Sequence, residues 1–130
     1  MKKTVLIIDD DEEMCEELSE ILGDEGYAVS YVHDGLEGKN RIERNGYDII
    51  LLDIKLPGLT GYDILKKTAA GPNKKSRIIV LTGRPMTKEV ERGKNPNLDY
   101  EGSALKLADG VINKPFDIKK VLETIKQYGN

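Results

Sequence analysis

The sequence predicts an α/β domain built on a doubly wound, five-stranded parallel sheet. Five short apolar, β-branched runs recur at Val5 to Ile8, Ala28 to Val32, Ile49 to Leu52, Ile78 to Leu81 and Val111 to Ile112, and they read as strands buried on both faces. The segments between them are longer, polar and in places helical in period. Strands that alternate with helices in this way form a parallel sheet with helices on each side.

The first strand runs straight into five acidic residues, Asp9 to Glu13. Behind them Met14, Leu18, Ile21 and Leu22 repeat at helical spacing, and Gly23 and Gly26 supply a stop before the second strand. The next helix, over 35–45, has only Leu36 and Ile42 as a stripe and is predicted mainly because a parallel crossover needs an element there. The third strand leads to Asp53 and then to "LPGLTG", where Gly58 and Gly61 are expected to serve turn geometry. Beyond the fourth strand and Thr82, Pro85, Gly93 and Pro96 interrupt a charged stretch. That stretch reads as an enlarged loop over 84–97 before a helix at about 99–108. The fifth strand passes through Asn113 and Lys114 into a final amphipathic helix carrying Ile118, Val121, Leu122, Ile125 and Tyr128, with Asp117 placed to cap it.

A chain of 130 residues without repeats, low-complexity tracts or a linker is expected to be one domain spanning 1–130. A net charge of -3 with no basic cluster argues against direct nucleic-acid binding. No signal peptide precedes Val5 and no apolar run is long enough to span a bilayer, so a cytoplasmic protein without a membrane partner is expected. The single cysteine, Cys15, rules out an internal disulfide and is expected to pack near the inner face of the first helix. His33 has no partner set for metal or catalysis and is expected to be an exposed loop histidine.

Right-handed crossovers bring the C-terminal ends of all five strands to one edge, where open α/β sheets bind ligands. Asp9, Asp10 and Asp53 would converge there. Three carboxylates repel, so either some take up protons or a cation sits among them. Hard oxygen ligands in a partly open pocket suit Mg²⁺, with Mn²⁺ as an alternative occupant. Thr82 brings a hydroxyl and Lys114 a mobile positive charge to the same edge. Such a set describes a phosphoryl-transfer site, in which positioning and charge neutralisation do most of the catalysis. Asp11, Glu12 and Glu13 better suit the positive end of the first helix.

The ordered motifs "IIDDDEE", "DIILLDIKLPGLTG", "IIVLTG" and "INKPF" resemble the receiver domain of two-component response regulators over essentially the whole chain. The resemblance implies a flavodoxin-like (βα)5 fold with strand order 2-1-3-4-5. It makes Asp53 the phosphoacceptor. Asp9 and Asp10 become the acidic pair that holds Mg²⁺ together with Asp53 and the Lys55 carbonyl. Thr82 would bind one phosphoryl oxygen and Lys114 another, and the Lys114–Pro115 bond would be cis. The implied donor is a sensor histidine kinase, a phosphotransfer protein or a small acyl phosphate, and the implied output is an altered surface for a downstream effector protein or domain. The only catalysis implied is the domain's own phosphorylation and dephosphorylation.

Some features depart from that pattern. The 31 residues between Thr82 and Lys114 exceed what such domains usually need, and the surplus in 84–97 reads either as a tolerated surface insertion or as a partner-specific contact. Val111 stands where receivers commonly carry a switching aromatic. The resemblance makes Lys55 and Arg84 positions that tune loss of the phosphoryl group: long cations there either obstruct an attacking water, implying slow loss, or stand solvated, while Gly83 leaves the site open to the donor.

Two rival readings remain. "VLIIDDD" also resembles the opening of haloacid dehalogenase-type phosphatases, with Asp9 as nucleophile and Asp11 as general acid. That family needs a further acidic pair after the lysine strand, where only Asp117 and Glu123 stand, and it leaves Asp53 unexplained. The other rival is a receiver-like interaction module that never uses its aspartate.

Overall fold

The computed structural model describes residues 2–55, 61–70, 76–83 and 106–129. Val5 to Ile8 form the centre of the sheet because they pair on both sides: β1 (Thr4–Ile8) runs parallel to β2 (Ala28–Val32) and to β3 (Ile49–Asp53), with Ile8 opposite both Val32 and Leu52. Next to β3 lie β4 (Arg77–Thr82) and then β5 (Gly110–Asn113), giving the parallel order β2-β1-β3-β4-β5. Alternate β1 side chains enter different cores, as the two-residue period of a strand requires. Val5 and Ile7 pack with Leu18 and Leu22 of α1 (Glu12–Asp24) and with Val121 and Ile125 of α4 (Ile118–Gly129). Leu6 and Ile8 pack with Ile64 and Leu65 of α3 (Gly61–Ala70) and, at its margin, Ile42 of α2 (Gly35–Arg44). Helices therefore cover both faces, as expected of a doubly wound sheet.

The thin stripe of α2 has a physical explanation. Leu36 is 58% exposed and does not face the sheet. The helix instead approaches through glycine: a Cβ on Gly38 would sit 2.7 Å from Ile8 Cδ1. Asp34 starts this helix by accepting the Glu37 amide proton at 2.8 Å, as Asp11 starts α1 by accepting that of Met14 at 3.1 Å. Gly23 lies within the last turn of α1, and the chain leaves that helix through Gly26, whose φ of +98° suits a residue without Cβ. Asp117 caps α4 by accepting the Lys119 amide proton at 2.9 Å.

Not every strand is buried on both faces. In β2 only Val32 is buried, and in β5 Val111 is 38% exposed, because both are edge strands. Lys106 to Ala108, expected to close a helix, form a turn and bend, while 84–97 and 99–105 lie outside the described residues.

Candidate functional site

Each site residue is delivered by a strand end. Asp9 follows β1 with its main chain still in the sheet, its N–H donating to the Val32 carbonyl at 3.1 Å. Its side chain is fully buried. Oδ1 accepts the Asp11 N–H at 3.0 Å and Oδ2 accepts from Lys114 Nζ at 2.7 Å. Asp53 ends β3, is nearly buried, and has Oδ1 held by the Lys55 N–H at 3.0 Å while Oδ2 stands 3.6 Å from Lys114 Nζ. Asp10 is exposed, and carboxylate oxygens of Asp9, Asp10 and Asp53 all lie within 4.8 Å of one another.

The lysine is placed by β5 and the turn that follows. Asn113 pairs with Thr82, and the Lys114 N–H donates to the Thr82 carbonyl at 2.7 Å. The Lys114–Pro115 bond is cis, as the resemblance implied. Thr82 is buried at the end of β4, and Gly83 is exposed directly after it.

The electrostatics follow from crowding like charges in a partly dry edge. Burial pushes the Asp53 carboxyl up, and the Asp9 and Asp10 charges add to the rise against the opposing Lys55 N–H and Lys114 ammonium. Burial alone would lower Lys114, but the Asp9 hydrogen bond and the charges of Asp9, Asp53 and Asp10 outweigh it and hold the ammonium above its ordinary range. Among the described residues one ammonium thus faces three carboxylates and offsets only part of their charge. The donor set fits a divalent cation: converging hard oxygens, a carboxyl that resists ionisation without a counter-charge, and an open side at Asp10.

The acidic run divides as the sequence suggested. Asp11 caps α1, Glu12 and Glu13 occupy its first turn, and all three are exposed. The phosphatase reading does not fit this geometry, because both Asp9 oxygens are engaged and Asp11 is committed to the helix cap. Cys15 is buried as expected, and burial together with the neighbouring Asp9, Asp11 and Asp10 charges pushes its thiol up to about 12. Lys55 is exposed, Val111 lies on the edge strand, and Arg84 falls outside the described residues.

Two residues have roles that sequence reasoning missed. His33 is not a free loop histidine: it is half-buried, with Nδ1 3.0 Å from the Asp9 carbonyl oxygen. Gly61 does not serve a turn; it opens α3, where a Cβ would collide with the Asp53 carbonyl oxygen and sit 2.6 Å from Ile54 Cα. The only sequence signal for Gly61 was its place in "LPGLTG", and Gly58 lies outside the described residues.

The comparisons with known proteins agree with this geometry. The family model of the response regulator receiver domain matches residues 5–126. The chain is 32% identical over 125 residues to the uncharacterized transcriptional regulatory protein YkoG of Bacillus subtilis (strain 168), covering 96% of this chain and 50% of that protein. It is 33% identical over 122 residues to response regulator ArlR of Staphylococcus saprophyticus, covering 94% and 50%. The chain therefore spans about half the length of these curated relatives. Among solved structures, a CheY-like receiver domain protein from Methanospirillum hungatei JF-1 superposes with a TM-score of 0.80 at 31% identity, covering 98% of this chain and 93% of that one. Response regulator TrrA of Thermotoga maritima, solved with Mg²⁺ and BeF, gives 0.78 at 25% identity, covering 97% and 98%. Strand order, site and sequence agree, and the chain belongs to the response regulator receiver domain family.

Proposed function

We propose that Asp53 is the phosphoacceptor of a two-component signalling domain and that residues 1–130 form one receiver unit with an enlarged loop at 84–97. The observation that carries this reading is the position of Asp53: a nearly buried carboxylate with one oxygen tied to the Lys55 N–H and the other facing the Lys114 ammonium. Asp9, Asp10, Asp53 and the Lys55 carbonyl would hold Mg²⁺, with Mn²⁺ as an alternative. When bound, that ion supplies neutralisation of the charge gathered at the reacting oxygens. Asp53 Oδ2 attacks the phosphorus of a donor phosphohistidine in line, the P–N bond breaks, and the electron pair leaves with the donor imidazole. Lys114 exchanges part of its bond to Asp9 for a phosphoryl oxygen, and Thr82 takes another.

Lys114 and Thr82 share a backbone hydrogen bond, so a shift of one is felt by the other without an aromatic at Val111. That coupling would alter the surface read by a downstream effector protein or domain. A groove of about 510 Å³ beside Lys114, lined in part by Asp11, Met14, Leu18 and Phe116, has room for side chains of a docked sensor histidine kinase or phosphotransfer protein. We take the cytoplasm as the compartment and assign no catalysis beyond self-phosphorylation and self-dephosphorylation. We also assign the 84–97 loop a part in partner recognition. Shortening it should preserve labelling by acetyl phosphate while weakening transfer from the protein donor, and unchanged partner binding would sink that assignment.

The test of Asp53 itself is incubation with Mg²⁺ and acetyl phosphate followed by intact mass. The wild type gains one phosphoryl group, Asp53→Asn gains none, and turnover of phosphate esters is absent. An adduct that persists in Asp53→Asn, or ester turnover abolished by Asp9→Asn, would contradict the assignment.

A further inference from the structure

The peptide unit joining Asp9 to Asp10 is held from outside the acidic cluster. Ile8 pairs with Val32, and the Asp9 N–H continues the ladder by donating to the Val32 carbonyl at 3.1 Å. A parallel ladder that continued would next supply a backbone N–H from β2 to the Asp9 carbonyl. The strand instead ends at Val32, and the chain turns through Asp34 into α2. The His33 imidazole stands where that donor would be, with Nδ1 3.0 Å from the Asp9 carbonyl oxygen. A carbonyl oxygen only accepts, so the proton resides on Nδ1. Tyr31, two residues earlier in the strand, packs against the ring with centroids 5.5 Å apart and planes tilted by 50°. The Cys15 thiol, a weaker donor, reaches the same oxygen at 3.5 Å.

The Asp9 carbonyl is coplanar with the Asp10 nitrogen, so its direction fixes the plane from which Asp10 departs. Asp9's own carboxylate is set independently by the Asp11 N–H and Lys114. We propose that His33 is a positioning residue for the cation site: by donating Nδ1–H to the Asp9 carbonyl it sets the angle at which Asp10 presents its carboxylate beside Asp9 and Asp53. The proposal rests on the reading of those three residues as the Mg²⁺ ligands. It gives a specific role to the one histidine of the chain.

Calorimetric titration of Mg²⁺ into the wild type and the variants His33→Phe, His33→Asn and His33→Gln tests it, with thermal melts of each in EDTA. Phenylalanine keeps a flat ring without a donor, asparagine offers an N–H close to the Nδ1 position, and glutamine offers one nearer Nε2. His33→Phe and His33→Gln should raise the Mg²⁺ Kd about tenfold, in the range seen when partners of metal ligands are removed. His33→Asn should stay within about threefold of the wild type, whatever the order of the EDTA melts. A His33→Phe protein that binds Mg²⁺ like the wild type, or a His33→Asn protein as weak as His33→Gln, overturns the proposal. The asparagine and glutamine pair carries the test if the phenylalanine variant does not fold. A wild type that binds no Mg²⁺ overturns the metal reading and this proposal with it, whereas unaltered variants beside a binding wild type overturn only the proposal.

Discussion

Asp53 pulls stability and function in opposite directions. Burial and the neighbouring acids raise its carboxyl pKa above the ordinary 3.8. Its contribution to folding is therefore fully present below that value and is lost as pH rises through the raised one. At neutral pH without Mg²⁺ the ionised group costs stability, so Asp53→Asn should melt at a higher temperature than the wild type. That gain should shrink toward zero as the pH approaches 3.8. Equal melting temperatures in EDTA at neutral pH would contradict this account. Lys114 follows the same direction in pH but at the alkaline end, and there the charged form is the one the fold favours. Its contribution is present below the ordinary lysine range and is lost only as an alkaline pH passes its raised value, so it adds no slope near neutrality. Lys114→Met strands the fully buried Asp9 and should cost roughly 2–3 kcal/mol in urea melts at pH 7, below the cost of breaking a fully buried pair because the lysine is 26% exposed. Cys15, with its thiol pushed up to about 12, should alkylate on the order of a thousandfold more slowly at pH 8 than a free thiol until the fold is disrupted.

At the scale of elements, the site depends on how closely helices approach strand ends. The first residue of α3 lies against the Asp53 carbonyl, so Gly61→Ala must move the helix or the strand end. It should cost about 2–3 kcal/mol, the upper part of the overpacking range, since the obstacle is backbone rather than a flexible side chain. Denaturant melts of Gly61→Ala measure this, and a loss under half a kcal/mol would show that α3 can shift freely. Asp11→Ala should remove about 1 kcal/mol of capping stability yet leave the Mg²⁺ Kd within about threefold. If instead its metal affinity collapses, the division of the acidic run into site and helix start is wrong.

Across the whole molecule, what the sequence made legible was what pattern can encode. Apolar runs locate the five strands of the sheet, and their common C-terminal edge gathers Asp9, Asp10, Asp53, Thr82 and Lys114. Contacts that depend on where two elements end were hidden. The bond from His33 to Asp9 exists because β2 stops at Val32 while the main chain of Asp9 is still in the sheet, and no local signal around a lone histidine carries that. The role of Gly61 is fixed by the distance between α3 and β3, and Leu36 counted as an apolar stripe although α2 packs through Gly38. The edge character of β2 and β5 follows from strand order, which short apolar runs do not reveal alone. The central claim concerns one oxygen on one of these strand ends. Treatment of the phosphorylated protein with borohydride converts an aspartyl phosphate to homoserine, and peptide mass mapping then locates it. Homoserine at position 53 alone is the predicted result; conversion at Asp9 or Asp10, or none at Asp53, would contradict the account.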